Sequence, residues 1–264
     1  MTFELEISTM YKTKEECLQM IQNMNVHCNC MVINQCDIES YEEVILEEQR
    51  IRLFFTKERG LSKSRNMALR NCQADILGIA DDDLLYYDGF DKIILTYYLS
   101  NPNADVAIFN MDSFDHTFFD SDFKCRFNHL GHFISMQVTF KVDKVKTQNI
   151  MFNIFLGTGS GFIQSGEENV FLSNCFKRKL GIFYCADKIL KREVHESSWF
   201  HGFDEKFLHD RGAIYYAISP FLSFFLIFRF AIRKKKLYSP ISFGKACKFM
   251  FAGRKSYINV LKGK

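Results

Sequence analysis

The chain has 264 residues, 47% of them hydrophobic, and a formal net charge of +3. That length holds one α/β domain with a tail, or two small domains, and the apolar share can build a substantial core. So small a net charge gives no reason to expect a nucleic-acid partner, while 29 Phe are more than an ordinary core needs.

Nine cysteines follow no regular spacing, and the opening Met1-Thr2-Phe3-Glu4-Leu5-Glu6 lacks the apolar stretch of a secretion signal. Both features predict free thiols in a reducing cytoplasm. His27, Cys28, Cys30 and Cys36 do not have the spacing of a structural zinc site. Cys28 and Cys30 read instead as small hydrophobes on one side of a strand.

Residues 5–8 read as a first strand. Cys17, Met20, Ile21 and Met24 recur at helical spacing, which predicts a helix over 14–24. A strand at 30–33, a helix or turn at 42–48, a strand at 51–55, a helix at 62–72 and a strand at 76–80 follow. This β-α-β alternation predicts a parallel sheet with helices on its faces. A helix at 88–99, closed by Asn101-Pro102-Asn103, precedes a strand at 106–109. From 111 to 132 acids, Phe and His mix without period, so Asp112, Asp115, Asp120 and Asp122 read as a solvated loop that faces an acceptor. Gly157-Thr158-Gly159-Ser160-Gly161 is neither a P-loop nor a dinucleotide fingerprint and reads as a turn where backbone approaches a sugar. A helix starts at Glu167-Glu168, and a strand lies near 182–189.

The strand at 76–80 ends in Asp81-Asp82-Asp83. Ligands of open α/β sheets bind outside the carboxyl ends of strands. Three adjacent acids repel one another, so the run reads either as a solvated turn or as a site for a hard divalent cation shared with a diphosphate. Leu85 and Tyr86 do not fit an EF-hand. Upstream, Gly60 permits a tight turn, Ser62 and Ser64 are candidate helix caps, and Lys63 and Arg65 make the helix start favourable for an anion. A basic helix start one βα step from an acidic strand end suits a nucleotide diphosphate with its metal.

Together, Gly60-Leu61-Ser62-Lys63-Ser64-Arg65-Asn66, Asp81-Asp82-Asp83 and Ser165-Gly166-Glu167-Glu168-Asn169 resemble successive motifs of family 2 glycosyltransferases with the GT-A fold. The nearest likeness is to bacterial members that build capsular and other surface polysaccharides. The resemblance runs from Ile7-Ser8-Thr9 to about His195. It implies a Rossmann-like nucleotide-binding sheet with helices on both faces. The expected division is a GT-A domain over 1–205, with 1–110 holding the nucleotide-sugar and 111–205 the acceptor, and a membrane-associating tail over 206–264.

The resemblance also implies roles. Thr9 and Asp37 would hold base and ribose, although this chain has Asn34-Gln35 before its single acid. Lys63, Arg65 and Asn66 belong to the donor motif. Asp81 would reach the ribose beside Asp82, and Asp83 with His195 would ligate Mn²⁺ or Mg²⁺. Inverting transfer needs a base for the attacking hydroxyl. Related enzymes carry Glu-Asp at that motif, so the role falls on Glu168, supported by Glu167. The other reading of the pair is that both acids complement the helix dipole. Trp199, the only Trp, would stack on a sugar or close the site.

Residues 213–228 are almost wholly apolar, contain Pro220, meet Arg229, and are followed by Arg233-Lys234-Lys235-Lys236. The run is too short to span comfortably and fits the membrane interface, helped by anionic lipid. The whole predicts a metal-dependent enzyme that moves a sugar from a UDP-sugar to a lipid-linked glycan at the inner membrane face. The alternatives are a sugar nucleotidyltransferase and a non-catalytic membrane-bound scaffold.

Overall fold

The computed structural model describes residues 1–113, 118–192 and 202–263. β1 (Phe3–Met10) is followed by α1 (Lys14–Asn23), β2 (Cys30–Gln35), β3 (Ser40–Leu46), β4 (Gln49–Thr56), α2 (Leu61–Asn71) and β5 (Ile76–Asp81). Then come β6 (Leu84–Tyr86), α3 (Phe90–Ser100), β7 (Val106–Asp112), β8 (Phe123–Lys124), β9 (Val138–Lys141), α4 (Val142–Thr147), α5 (Glu167–Lys177) and β10 (Ile182–Arg192). Three helices close the chain: α6 (Glu205–Ile218), α7 (Leu222–Arg233) and α8 (Phe243–Lys262).

The sheet has the order β3-β4-β2-β1-β5-β9-β7-β10-β6, with β8 paired to β10. β4, β2, β1 and β5 run parallel, and β9 is antiparallel to both β5 and β7. The chain winds outward from β1 to β2 and β4, then returns across β1 to lay down β5. The crevice between the ends of β1 and β5 is therefore a topological switch point, where ligands of such sheets bind.

Every residue of β2 is buried, as expected of a parallel strand covered on both faces. Alternation sorts its side chains: Val32 joins Ile7, Ile21 and Tyr97 on one face, while Met31 and Ile33 join Leu77, Phe140 and Phe171 on the other. α1 starts at a reciprocal cap, in which the Thr13 hydroxyl accepts from the Glu16 amide and the Glu16 carboxylate accepts from the Thr13 amide. Both helix donors are thus satisfied. All nine cysteines are free thiols.

One expectation changes. Residues 42–48 form no helix; they lie mostly in β3, the edge strand of a hairpin with β4. Cross-strand pairs decide this, because Tyr41 packs on Phe54 with centroids 4.8 Å apart and Glu43 takes the Arg50 guanidinium at 2.7 and 2.8 Å. Charges on an edge strand also discourage further pairing, so the acidic composition that resembled a helix belongs to an edge. The apolar run at 213–228 is two helices, α6 and α7, interrupted around Ser219 and Pro220.

These helices are not a loose appendage. A Cβ at Gly212 would meet the Met250 carbonyl at 1.8 Å, and one at Gly253 the His209 carbonyl at 1.8 Å, so α6 and α8 touch backbone to backbone. Ala213 and Ile214 of α6 and Tyr257 of α8 share a buried cluster with Leu156, Ile163 and Val170. Ile214 lies against Gly166 at the start of α5. No helix among the described residues is long and apolar enough to cross a membrane.

Candidate active site

Three segments meet at the switch point: the end of β1, the acids after β5, and the start of α5. Ser8 and Asp81 are register partners on neighbouring strands. The Thr9 hydroxyl donates to the Asp82 carboxylate, and the Lys12 ammonium lies 3.6 Å from the same group. Thr9 therefore fixes Asp82. Asp83 is exposed at the rim, and its carboxyl is held above the ordinary range by desolvation, then by the charge of Asp81, against the pull of Arg192.

Arg65 joins the motifs. The helix period turns it inward from α2, and its guanidinium is fully buried. It donates to Glu167 at 2.7 Å and to Asp81 at 3.1 Å. One cation thus holds the acidic strand end against the first residue of α5. Arg65 is thus engaged by two protein carboxylates rather than presented at the open start of α2. Glu6 lies nearby on β1, buried, and accepts from the Ser8 hydroxyl. Burial pushes the Glu6 carboxyl up to about 7, against the opposing pull of Arg65.

The start of α2 is covered too. Gly60 stands at the cap with φ 116°, and the Leu61 amide donates to the Thr158 carbonyl at 2.8 Å. Ser62 caps nothing; its hydroxyl donates to the Leu156 carbonyl at 2.7 Å. The Asn66 side chain clamps the backbone of Phe152 in both directions, at 2.8 and 2.9 Å. These bonds fasten the glycine-rich loop to α2. A Cβ on Gly60 would stand 3.2 Å from the Gly159 carbonyl, so the two backbones approach where a side chain has no room. Lys63 alone of the three motif residues remains half-buried, with no ion-pair partner among the described residues.

Gly157, at φ 94°, lies against Glu167, whose carboxylate would be 3.3 Å from a Cβ there. Glu167 is thereby held between Arg65 and the loop. Glu168, next along α5, is half-buried. Burial, then the negative charge of Glu167, push its carboxyl above the ordinary range, and Arg65 only partly offsets this. A carboxyl with a raised pKa at a cleft is suited to exchanging a proton near neutral pH.

At the end of β2, Asp37 is exposed and ion-paired with Arg59 at 2.6 Å. The Arg59 guanidinium also lies 5.2 Å from the centre of the exposed Tyr11 ring. Asn34 exchanges hydrogen bonds with the backbone of Lys12, and Gln35 accepts from the Gly60 amide at 2.6 Å. Tyr11 and Arg59 were not singled out from the sequence. Tyr11 follows β1 and Asp37 follows β2, so only the pairing of those strands and Arg59 between them bring the two together. His195 and Trp199 lie outside the described residues.

No group of three or more His, Cys, Asp or Glu among the described residues forms a metal cage. Desolvation first, and then the charge of Asp81, disfavour an ionised Asp83, and a bound cation would offset both. One or two carboxylates with substrate phosphates is the usual protein share in a Mg²⁺ site. The residues present thus fit a cation that arrives with a diphosphate.

The sheet order and its acidic switch point are those of a GT-A fold. The sequence pattern described as glycosyl transferase family 2 matches residues 11–165, more than half of the chain, and the chain belongs to that family. Among solved structures, S. aureus TarS 1–349 in complex with UDP-GlcNAc is similar at 14% identity and a TM-score of 0.59, over 82% of this chain and 66% of that one. The chain thus spans just under two thirds of that structure, and 39% of a longer TarS chain. The mannosyltransferase PcManGT from Pyrobaculum calidifontis, in complex with GDP-Man and Mn²⁺, is similar at 13% identity and a TM-score of 0.52, over 97% of this chain and 75% of that one. At such identities the likeness is one of fold. No curated protein sequence matches the chain.

Proposed function

We propose that this glycosyltransferase moves a sugar, with inversion, from a nucleotide-sugar to a hydroxyl of a glycan acceptor. The observation that carries the reading is Arg65, which holds Asp81 and Glu167 to one guanidinium and so brings the donor acids and Glu168 to one crevice. The acceptor oxygen attacks the anomeric carbon, and its proton passes to Glu168. The bond from that carbon to the diphosphate oxygen breaks, and the nucleoside diphosphate leaves with the electron pair. Glu167, held by Arg65, positions Glu168, and its negative charge raises the proton affinity of that carboxyl.

Asp83, with His195, would hold Mn²⁺ or Mg²⁺ together with the diphosphate. When bound, such a cation neutralises the charge of the leaving group. Asp82, fixed by Thr9, and Asp81 face the ribose. Asp37 and the Tyr11 ring border the base, and Lys63 faces the phosphates. The donor we assign is a UDP-sugar, which the fold likeness to a structure holding UDP-GlcNAc supports; GDP-Man in the second neighbour marks the competing donor. The acceptor we assign is a lipid-linked glycan of surface polysaccharide synthesis, met at the inner face of the membrane.

A thermal-unfolding screen of UDP- and GDP-sugars, with and without Mn²⁺, tests the donor. A ligand that binds the native state at about 100 times its Kd adds about 2.7 kcal/mol of stability. A UDP-sugar should raise the midpoint more in Mn²⁺ than without it. No response to any nucleotide-sugar would refute the reading.

A further inference from the structure

α7 carries apolar residues on its outer side as well as its inner one, which is unusual for a helix in water. Ser223, Ile227 and Ala231 face the interior, where Ile227 and Ala231 pack with Leu208, Met250 and Tyr238. The opposite side presents Phe221, Phe225, Phe228 and Ile232, spaced i, i+4, i+7, i+11, so they form one stripe. Phe221 is 91%, Phe225 64% and Ile232 66% exposed. The exposed Arg229 and Arg233 flank that stripe, and the exposed Lys234, Lys235 and Lys236 follow it.

Charge decides what would cover this face. Residues 211–264 contain 12 Lys or Arg and no Asp or Glu. Because the whole chain sums to +3, the preceding 210 residues carry a net −9. The modest total therefore conceals two segments of opposite charge. A second copy of α7 would bring cation against cation, and an apolar protein groove would leave the cations unanswered. An anionic bilayer satisfies both features, since it takes aromatic side chains at its interface and attracts basic ones to its headgroups. The acidic remainder of the molecule would be repelled and stand away.

We propose that α7 lies flat on an anionic phospholipid surface, with Phe221, Phe225, Phe228 and Ile232 inserted and Arg229 and Arg233 to Lys236 among the headgroups. α6 and α8 both pack on α7, and α6 also supports the start of α5. α7 is thus packed onto the domain through α6 and α8 rather than joined to it as a loose tether. The proposal concerns attachment and does not depend on turnover.

The experiment is flotation of the full chain with phosphatidylglycerol vesicles and, separately, with phosphatidylcholine vesicles. The chain should float with the first and far less with the second. Each cation near such a surface contributes about 1 kcal/mol, so changing Arg233, Lys234, Lys235 and Lys236 together to Gln should weaken binding on the order of 10²-fold to 10³-fold at low salt, and less in high salt. Phe225→Ser with Ile232→Ser should lower it at least about tenfold. Both changes are at exposed positions, and unchanged thermal midpoints would show that the fold is intact. Absence of vesicle binding overturns the proposal. So does equal binding to both lipids, or sedimentation showing dimers that the Ser variant abolishes while vesicles bind nothing.

Discussion

Arg65→Met tests the hub of the site. The guanidinium is fully buried and touches Asp81 and the nearly buried Glu167. Met has comparable length but no charge, so the change leaves two carboxylates facing each other without a cation. Removing one partner of a buried pair costs roughly 3–5 kcal/mol. In a chain of this size 1 kcal/mol moves the unfolding midpoint by roughly 2–4 °C, so the expected fall is about 6–20 °C in a calorimetric scan. The partly exposed Asp81 can draw in water, which favours the lower half. Combining Arg65→Met with Glu167→Gln removes the buried charge as well and should recover much of the loss, as expected for groups that couple directly. Arg65→Lys keeps charge but cannot bridge both acids, and should fall between. Donor hydrolysis should be lost in Arg65→Met even at temperatures where it remains folded, because Glu167 and Glu168 lose their orientation. A midpoint within about 2 °C of the parent, or additive effects of the two changes, would refute the bridging role.

Other outcomes follow from the same geometry. Glu168→Gln should cut turnover by about 10² or more, with donor binding by calorimetry retained; if Glu167→Gln alone abolishes turnover, the roles are reversed. Because the Glu168 carboxyl is raised and the base must be ionised, kcat/KM should rise with pH through a limb above the ordinary carboxylate range. Glu6 is neutral when folded until about pH 7 but ionises near 4.5 when unfolded, so its contribution is full below 4.5 and is lost as pH rises through 7. Urea unfolding should therefore show Glu6→Gln gaining up to about 3 kcal/mol on the parent between pH 5 and 8. Gly212→Val drives a side chain into the Met250 carbonyl and should separate α6 from α8, lowering both the thermal midpoint and donor hydrolysis, since α6 supports the start of α5.

Much of the fold was legible because period and punctuation agree. Cys17, Met20 and Ile21 announce α1, and the apolar runs of β1, β2 and β5 announce a parallel sheet. The hairpin at β3 was not, since its Glu-rich sequence is explained only by partners on β4 such as Arg50 and Phe54. β9 was missed because its place between β5 and β7 is set by distant residues. In the site, the three motifs were visible but not their division of labour. Arg65 reads as a donor contact from its charge and place near a helix start; only burial reveals that it faces Asp81 and Glu167. Likewise Thr9 serves Asp82, and Asn66 serves Phe152. The tail's apolar run was visible, but Gly212 and Gly253 acquire meaning only when α6 and α8 meet. Through Ile214 against Gly166, that helix pair also supports the start of α5.

The central claim is best tested by ³¹P NMR of the intact protein incubated with a UDP-sugar and Mn²⁺. Transfer or hydrolysis at the anomeric carbon releases UDP, and the account predicts UDP as the phosphorus product, much diminished in Glu168→Gln. UTP and sugar phosphate formed on adding pyrophosphate would identify nucleotidyl transfer instead. An unchanged spectrum across UDP- and GDP-sugars would contradict the account.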